Sequence, residues 1–293
     1  MQEKIEILPV TLLDQQRDTV TELKQLARSL RLDFGWHYLL DLTWIITQLG
    51  SVDGKRILDA GAGTGILQWY LADHGAHVIS VDRFSRANLP IRFRSRFNVK
   101  GAREGDLTPA WQVFKDNLKA HSNLKIKLTS QTRELLDMAD RQHAKGDVMV
   151  YNKDLKHMPE IEDDSIDVIV SVSSLEHNPP EELGAVVAEL VRVLKPGSPF
   201  LATLGAARDQ DWFHEPSQGW SYTDLSLRRY FDLPGEVPSN YAQYDELFDA
   251  LRDCAELRDN LAKFYFKSGD NGMPWGVWDP QYQSVGVCKI KGE

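Results

Sequence analysis

The fold of this chain is decided by one stretch, Ile57-Leu58-Asp59-Ala60-Gly61-Ala62-Gly63-Thr64-Gly65-Ile66-Leu67. Apolar residues open it, three glycines follow at alternate positions, and a helical pattern begins after them. Glycine allows the backbone to turn sharply and to approach a ligand closely. The stretch therefore predicts a buried strand, a tight turn that holds a ligand, and the start of a helix.

A second strand is predicted shortly after this turn. The helix continues to His74, Gly75 ends it, and residues 77–82 read as an apolar strand that ends in Asp82. Strand, glycine turn, helix, strand and acid in this order are typical of a βαβ unit.

The rest of the chain continues the alternation of strands and helices. Two helices are predicted before the first strand, at residues 11–31 and 36–49. Further strands are predicted at residues 147–151, 166–172 and 199–204, and a closing antiparallel pair at residues 264–266 and 282–290. Residues 83–146 exceed one crossover, residues 205–240 read as a loop region with one short helix, and further helices are predicted near residues 109–120, 132–143, 179–194 and 241–262. This alternation predicts an α/β fold with a largely parallel sheet.

Composition narrows the class of protein. The 293 residues include 42% hydrophobic and 26% charged residues, which is typical of a soluble globular chain. The net charge of -9 counts against nucleic acid as a partner. The two cysteines, Cys254 and Cys288, form no C-x-x-C pair, so neither a disulfide framework nor a zinc site is indicated. We see no signal peptide and no apolar run near the roughly 18 residues of a membrane helix, so we expect a cytoplasmic protein without a membrane span.

Three interpretations of the glycine turn compete: a structural turn without a ligand, a dinucleotide site, and an S-adenosylmethionine site. A dinucleotide fingerprint is G-x-G-x-x-G, whereas here Gly61, Gly63 and Gly65 alternate. Asp59 would repel a pyrophosphate, but it would attract the sulfonium and ammonium groups of S-adenosylmethionine. Asp82 suits the ribose of either cofactor. The turn therefore favours the methyl donor.

Six short motifs, in order, resemble the class I S-adenosylmethionine-dependent methyltransferases of the type 11 subgroup. They cover roughly residues 55–205 and are Leu58-Asp59-Ala60-Gly61-Ala62-Gly63-Thr64-Gly65, Val81-Asp82, Lys153-Asp154-Leu155, Asp163-Asp164-Ser165-Ile166-Asp167-Val168-Ile169, Leu175-Glu176-His177 and Leu194-Lys195-Pro196-Gly197. The resemblance implies a Rossmann-like sheet of seven strands with the last one antiparallel, N-terminal helices, and an insertion after the second strand. We expect a single methyltransferase domain over residues 1–293, with a helical cap (1–54), a donor-binding core (55–205), the insertion (83–146), and acceptor-side loops with closing strands (206–293).

The resemblance also implies which residues hold the donor. The backbone of the turn contacts its methionine and ribose portions, Asp59 lies near its ammonium, and Asp82 holds its ribose. Asp154 accepts from the adenine amino group and the Leu155 amide meets a ring nitrogen. The full predicted set is Asp59, Gly61, Ala62, Gly63, Gly65, Asp82, Arg83, Asp154, Leu155 and Ser171.

Two histidines are candidate general bases. His177 follows the fourth core strand, where it takes a substrate proton or only lines the site. His214 lies after the fifth strand in a segment that either contacts the acceptor or packs as an aromatic loop, together with Glu215, Trp220 and Tyr222. Trp36, His37 and Tyr38 are candidates to cap the donor.

A basic segment follows Asp82 and reverses the acidic balance of the chain. Its members are Arg83, Arg86, Arg92, Arg94, Arg96, Lys100 and Arg103. It is either an arm that attracts an anionic substrate or a solvated edge whose Ile91, Phe93 and Phe97 pack inward.

We therefore expect a methyltransferase that acts on an O or N nucleophile of a small-molecule or lipid-like acceptor, with an anionic acceptor as one option. Its product from the donor is S-adenosylhomocysteine, and no metal is indicated. The alternatives are a donor-binding regulatory or partner protein without catalysis, a protein or RNA methyltransferase, and a dinucleotide oxidoreductase.

Overall fold

The computed structural model describes residues 1–120, 144–259 and 277–293, which fall into two compact units. The glycine-turn unit comprises residues 51–154, and the terminal unit comprises residues 1–50 and 155–293. The predicted helix near residues 132–143 and the predicted strand at residues 264–266 lie outside the described residues. The assignment of one domain stays a prediction.

The described elements alternate along the chain. The strands are β1 (Lys4–Ile7), β2 (Arg56–Ala60), β3 (His77–Asp82), β4 (Asn98–Gly101), β5 (Asp147–Asn152), β6 (Val168–Val172), β7 (Pro199–Ala206), β8 (Trp212–His214), β9 (Gly219–Tyr222) and β10 (Gln283–Ile290). The α-helices are α1 (Leu12–Gln15), α2 (Arg17–Leu30), α3 (Tyr38–Leu49), α4 (Leu67–Asp73), α5 (Ile91–Arg96), α6 (Ala110–Ala120), α7 (Pro180–Val193), α8 (Asp224–Phe231), α9 (Tyr244–Arg252) and α10 (Ala255–Asp259). Two 3-10 helices lie at Leu175–His177 and Tyr241–Gln243. The α/β class predicted from the sequence is confirmed.

Four parallel strands form the sheet of the glycine-turn unit, in the order β2, β3, β5, β4. β2 and β3 are buried over almost their whole length, as expected of parallel strands that are covered on both faces. Their register places Ala60 beside Val81, and Asp82 beside Asn152. The glycine turn, Asp82 and Asn152 therefore meet at one edge of this sheet, where α/β folds bind their ligands.

The segment between β3 and β5 contains α5, β4 and α6. Residues 91–97 alternate between apolar and basic, yet Ile91–Arg96 is helical. Phe93 and Phe97 lie one turn apart and their rings pack on Trp69, with centroids 4.7 and 4.8 Å away. This aromatic packing fixes the segment on α4.

The terminal unit has a mixed sheet. β6 and β7 are parallel, the last strand β10 runs antiparallel to β7 as predicted, and β1 runs antiparallel to β10. β8 and β9 form a hairpin, and β9 pairs in parallel with β7. The loop predicted over residues 205–240 therefore contains two strands. The described residues hold ten strands: six of the seven predicted ones, the seventh being at residues 264–266 outside the described ranges, and the short strands β1, β4, β8 and β9, which were not predicted.

The predicted N-terminal helices are present as α1 to α3. α3 is buried on most of its surface and packs on β6, β7 and β10. A Cβ atom on Gly286 in β10 would lie 2.5 Å from the Trp44 ring, so this strand needs a glycine where the helix crosses it. Over the described ranges, no helix is both long and apolar enough to cross a bilayer.

Candidate functional site

The glycine turn is held by backbone bonds to β3. Gly61 has a φ of +74° and Gly63 a φ of +49°, values that favour glycine. The amides of Gly61 and Ala62 donate to the Val81 carbonyl at 2.9 and 3.0 Å. The Gly65 amide donates to the Ala62 carbonyl at 2.9 Å, and a Cβ atom on Gly65 would lie 3.1 Å from that oxygen. The local backbone thus explains why glycine is required at each of the three positions.

Asp82 joins the turn to the segment that follows β3. Its Oδ2 accepts from the Gly63 amide and its Oδ1 from the Phe84 amide, both at 2.8 Å. Bonds of this kind to an ionised acceptor are among the stronger hydrogen bonds in proteins. Each carboxylate oxygen can accept a further bond. The structure therefore places the predicted ribose acid at the turn, with capacity for ligand hydroxyls.

Asp59 is a buried carboxyl group beside the turn. It is 3% exposed, and its side chain has no hydrogen-bond partner in the part of the chain that the structure describes. Burial raises the pKa of Asp59 to about 7, Asp82 adds to the rise, and the Arg86 charge opposes it. An unpaired buried carboxylate is costly, and a cationic ligand would offset that cost. This residue therefore fits the ammonium of S-adenosylmethionine.

Three residues that the sequence analysis did not assign to the site hold its far edge. Asn152, at the end of β5, accepts from the Arg86 amide through Oδ1 at 2.9 Å. Its own amide donates to Asp106 Oδ1 at 3.2 Å, and its Nδ2 donates to the Asp106 carbonyl at 2.9 Å. Asp106 is 3% exposed. Asn152 could have been found from the sequence, because it ends strand β5 as Asp82 ends the neighbouring strand β3.

The remaining predicted donor residues are distributed over both units. Asp154 is exposed two residues after β5, and Arg83 is exposed with its guanidinium 5.0 Å from the Phe84 ring centre. Leu155 is buried and belongs to the terminal unit. Ser171 is also buried in that unit, where its hydroxyl lies 2.8 Å from the Ser174 hydroxyl. The glycine-turn unit by itself thus brings together Asp59, the glycines and Asp82, and the individual roles stay predictions.

The two candidate histidines lie at the β8–β9 hairpin: His214 is part of strand β8, and His177, in a 3-10 helix, is bonded to the hairpin. His177 is exposed and its Nδ1 lies 2.8 Å from the Gln218 carbonyl, which requires a hydrogen on Nδ1 and leaves Nε2 as the basic nitrogen. His214 pairs with Gly219 across the hairpin, next to Gln218. The side chain of His214 is buried, and burial lowers its pKa. Its Nδ1 lies 2.7 Å from the Ser217 hydroxyl.

Glu176 is a buried acid next to His177. The Ser173 hydroxyl donates to its Oε1 at 2.6 Å, while its Oε2 has no partner among the described residues. Burial raises the pKa of Glu176, and the charges of His177 and His37 oppose the rise. In the sequence, Glu176 stands only within the motif Leu175-Glu176-His177, and no role was predicted for it.

The predicted donor cap is packed within the terminal unit. His37 is 5% exposed, with Nδ1 at 2.7 Å from Asp41 Oδ2 and Nε2 at 3.3 Å from the Tyr282 hydroxyl. The Trp36 ring packs edge-on against His37 and Tyr282, with centroids 4.7 and 5.2 Å away. These contacts make Trp36 and His37 part of the core.

Most guanidinium groups of the basic segment bond to the protein itself. Arg94 donates to the carbonyls of Leu89, Ala87 and Thr108, and burial lowers its pKa. Arg96 pairs with Asp73 at 2.5 Å. The guanidinium groups of Arg86 and Arg103 donate to backbone carbonyls, and Arg103 also pairs with Asp106. Ile91, Phe93 and Phe97 are buried, which supports the interpretation of this segment as a packed edge. In the described ranges, no group of three or more His, Cys, Asp or Glu residues could hold a metal ion.

Parts of this chain are similar to known proteins. The family model described as "Methyltransferase domain" matches residues 111–202. Ubiquinone biosynthesis O-methyltransferases from Leptothrix cholodnii and Aeromonas salmonicida are 42% identical over 48 residues and 51% identical over 41 residues. These matches cover 16% and 14% of this chain, and they span only 20% and 17% of the relatives' own lengths.

Among solved structures, the phosphoethanolamine N-methyltransferase 2 of Haemonchus contortus aligns with a TM-score of 0.48 at 17% identity. The alignment covers 96% of this chain and 59% of that one. The family-model match contains the motifs at residues 153–155, 163–169, 175–177 and 194–197, and the glycine turn with its unpaired acid precedes it. Over residues 111–202 the chain thus matches the methyltransferase domain family, which supports the resemblance stated from the sequence.

Proposed function

We propose that this protein is an enzyme that binds S-adenosylmethionine at the glycine turn and methylates an O or N nucleophile of a small-molecule or lipid-like acceptor. The observation that carries the proposal is Asp59, a buried carboxyl group without a hydrogen-bond partner among the described residues, next to a turn of alternate glycines. A phosphate-bearing dinucleotide would meet repulsion from this carboxylate, whereas a cationic ligand would be attracted.

In this proposal each end of the donor has its own residues. Asp59 holds the ammonium and Asp82 the ribose hydroxyls, while the Gly61–Gly65 backbone contacts the methionine and ribose portions. Asp154 and the Leu155 amide serve the adenine, Ser171 lines the site, and Arg83 completes the predicted donor-binding set. When bound, S-adenosylmethionine supplies an electrophilic methyl group on a sulfonium and is left as S-adenosylhomocysteine. The protein contributes mainly by holding the nucleophile and the methyl group in line.

A general base is needed only where the nucleophile carries a proton at neutral pH. His177 is suited to that task because its Nδ1 donates to the Gln218 carbonyl and its Nε2 is left as the acceptor. His214 is the second candidate, since burial lowers its pKa and keeps the ring neutral. Both stand on the β8–β9 hairpin or in contact with it.

The acceptor is proposed on more limited support. The curated relatives are named for O-methylation in ubiquinone biosynthesis, which supports oxygen as a nucleophile over the short matched lengths. An anionic acceptor would depend mainly on Arg83 and Lys100, which are exposed, because Arg86, Arg94, Arg96 and Arg103 bond to the protein.

The proposal is tested in two steps. Calorimetry with S-adenosylmethionine and with NADH should show binding of the first only, and tight binding of NADH alone would refute the proposal. Labelled methyl transfer into cell extract, separated into small-molecule, lipid, protein and RNA fractions, should then label the small-molecule or lipid fraction. Label in the protein or RNA fraction would correct the acceptor class, and donor binding without any transfer would favour a regulatory protein.

A further inference from the structure

One side-chain amide lies beneath the glycine turn. Gln68, in the first turn of α4, is 1% exposed. Its Nε2 lies 3.4, 3.3 and 3.1 Å from the carbonyl oxygens of Ala62, Gly63 and Gly65. An –NH₂ group has two hydrogens, so it shares them among three carbonyl oxygens of the turn. The three carbonyl oxygens therefore share one buried donor, the side-chain amide of Gln68.

Gln68 is fixed in turn by two buried residues of the same unit. The Ser80 hydroxyl donates to Gln68 Oε1 at 2.7 Å, which assigns the oxygen end of the amide and leaves Nε2 towards the turn. Arg86 Nη1 donates to the same Ser80 hydroxyl. Arg86 also donates to the Ser80 carbonyl at 2.7 Å and to the Gly63 carbonyl at 3.3 Å. A directed chain of hydrogen bonds thus runs from Arg86 through Ser80 and Gln68 to the turn.

The burial of Arg86 is costly. The residue is 7% exposed, and its Nε is a buried donor without a partner among the described residues. Burial lowers the pKa of Arg86, while the charges of Asp82, Asp59 and Asp106 raise it. Asp59 and Asp82 are the two proposed donor-site acids. An apolar side chain could fill this space without the cost of burying a charge, so packing alone does not explain the arginine.

We propose that Gln68, Ser80 and Arg86, here named the bracing triad, are positioning residues that set the shape of the glycine turn and thereby the affinity for the amino-acid end of an S-adenosyl ligand. The inference rests on the proposed function, because it assumes that the turn holds this ligand. It differs from a general packing role, since the bonds of Gln68 go to the turn and not to the predicted adenine residues.

The test compares two ligands without a sulfonium charge that differ in their amino-acid portion. S-adenosylhomocysteine has it, and 5′-methylthioadenosine lacks it. In the Gln68→Leu variant, calorimetry should show an affinity for S-adenosylhomocysteine about tenfold lower, the effect of losing one to two hydrogen bonds. For methylthioadenosine, which keeps the ribose contacts of the turn but lacks the amino-acid portion, the loss should be smaller, about threefold or less. The matched control is Gln112→Leu, at an exposed glutamine of α6, which should leave both affinities unchanged.

A second variant keeps the inference falsifiable if the first does not fold. Ser80→Ala removes the link between Arg86 and Gln68, so it should lower the affinity for S-adenosylhomocysteine in the same direction. The double variant should lose less than the product of the two single effects, because residues of one hydrogen-bond chain are coupled. Equal losses for both ligands, or fully additive losses, would overturn the proposal.

A failure of the proposed function has a different signature. If the wild-type protein binds neither ligand, the proposed function fails, and hydrogen exchange still decides on the bracing triad. The amides of residues 62–65 should exchange faster in Gln68→Leu than in the wild type, while those of β5 are unchanged. Unchanged exchange at the turn would refute the bracing role.

Discussion

Changing Asp59 to asparagine should abolish the pH dependence of S-adenosylmethionine affinity between pH 5.5 and 7.0. Burial raises the pKa of this carboxyl group to about 7, so in the empty protein it is mostly neutral at pH 5.5. Only the ionised form attracts the ammonium of the donor. Affinity should therefore rise with pH through this window in the wild type. The asparagine of the variant does not titrate, so the variant should give a flat profile.

The expected size follows from the titration. With a pKa of about 7, roughly 3% of the carboxyl groups are ionised at pH 5.5 and about half at pH 7.0, so the affinity should increase about fifteenfold. This corresponds to about 1.6 kcal/mol. An α-amino group titrates near pH 8, so the ammonium of the donor stays charged across most of the window.

Calorimetric titrations at pH 5.5, 6.0, 6.5 and 7.0 measure the effect. His77→Asn is a matched control because it removes an exposed ionisable side chain of the same unit, paired with Asp147, and leaves the glycine turn intact. This control should keep the wild-type slope. A flat wild-type profile, or a slope that persists in Asp59→Asn, would refute the assignment of Asp59 to the donor ammonium.

Three further outcomes are expected. Because the pKa of Asp59 is about 7 in the folded state and 3.8 in the unfolded state, this carboxyl group destabilises the fold increasingly as the pH rises between these values. Asp59→Asn should therefore raise the free energy of unfolding in urea denaturation, and the gain should be about 2–3 kcal/mol larger at pH 8 than at pH 5. An equal gain at both pH values would contradict a neutral native carboxyl. Asp82→Ala removes an acceptor of two backbone amides and should weaken donor binding by about 1–3 kcal/mol in calorimetry, and unchanged affinity would mean that Asp82 does not hold the ribose. Gly286→Ala places a Cβ atom 2.5 Å from the Trp44 ring and should lower the free energy of unfolding by about 1–3 kcal/mol in thermal unfolding. The control Gly184→Ala, in a helix with open space around it, should be neutral or stabilising by up to about 1 kcal/mol. Similar effects of the two changes would contradict the close packing at Gly286.

The parts of the fold that local signals encode could be predicted from the sequence. Continuous apolar runs identify β2 and β3. The alternate glycines identify the turn between β2 and α4, where Gly61 and Gly63 indeed adopt φ values of +74° and +49°. The strand ends then place Asp59 and Asp82 at one edge of the sheet. Each of these signals lies within about ten residues, so no long-range contact has to be known.

The short strands and the support beneath the turn could not be predicted. β4, β8 and β9 have three or four residues each; β4 pairs with the much later β5, β9 pairs with β7, and β8 pairs with β9. Residues 91–96 alternate with the period of a strand, but Phe93 and Phe97 find Trp69 one helical turn apart, and this contact decides the helix. The link from Arg86 to Gln68 through Ser80 joins side chains on three elements, and no spacing in the sequence reports it.

The bond between His177 and the hairpin has an evolutionary consequence. The imidazole is oriented by the main-chain carbonyl at position 218, and not by a side chain. Every amino acid supplies that carbonyl, so substitutions at the exposed tip of the hairpin can accumulate while the ring keeps its tautomer. If His177 is the proposed base, preference among acceptors can therefore diverge through changes in side chains around it, and Asp59 and Asp82, the acids proposed to hold the donor, are encoded in a separate stretch of the gene and need not change with them.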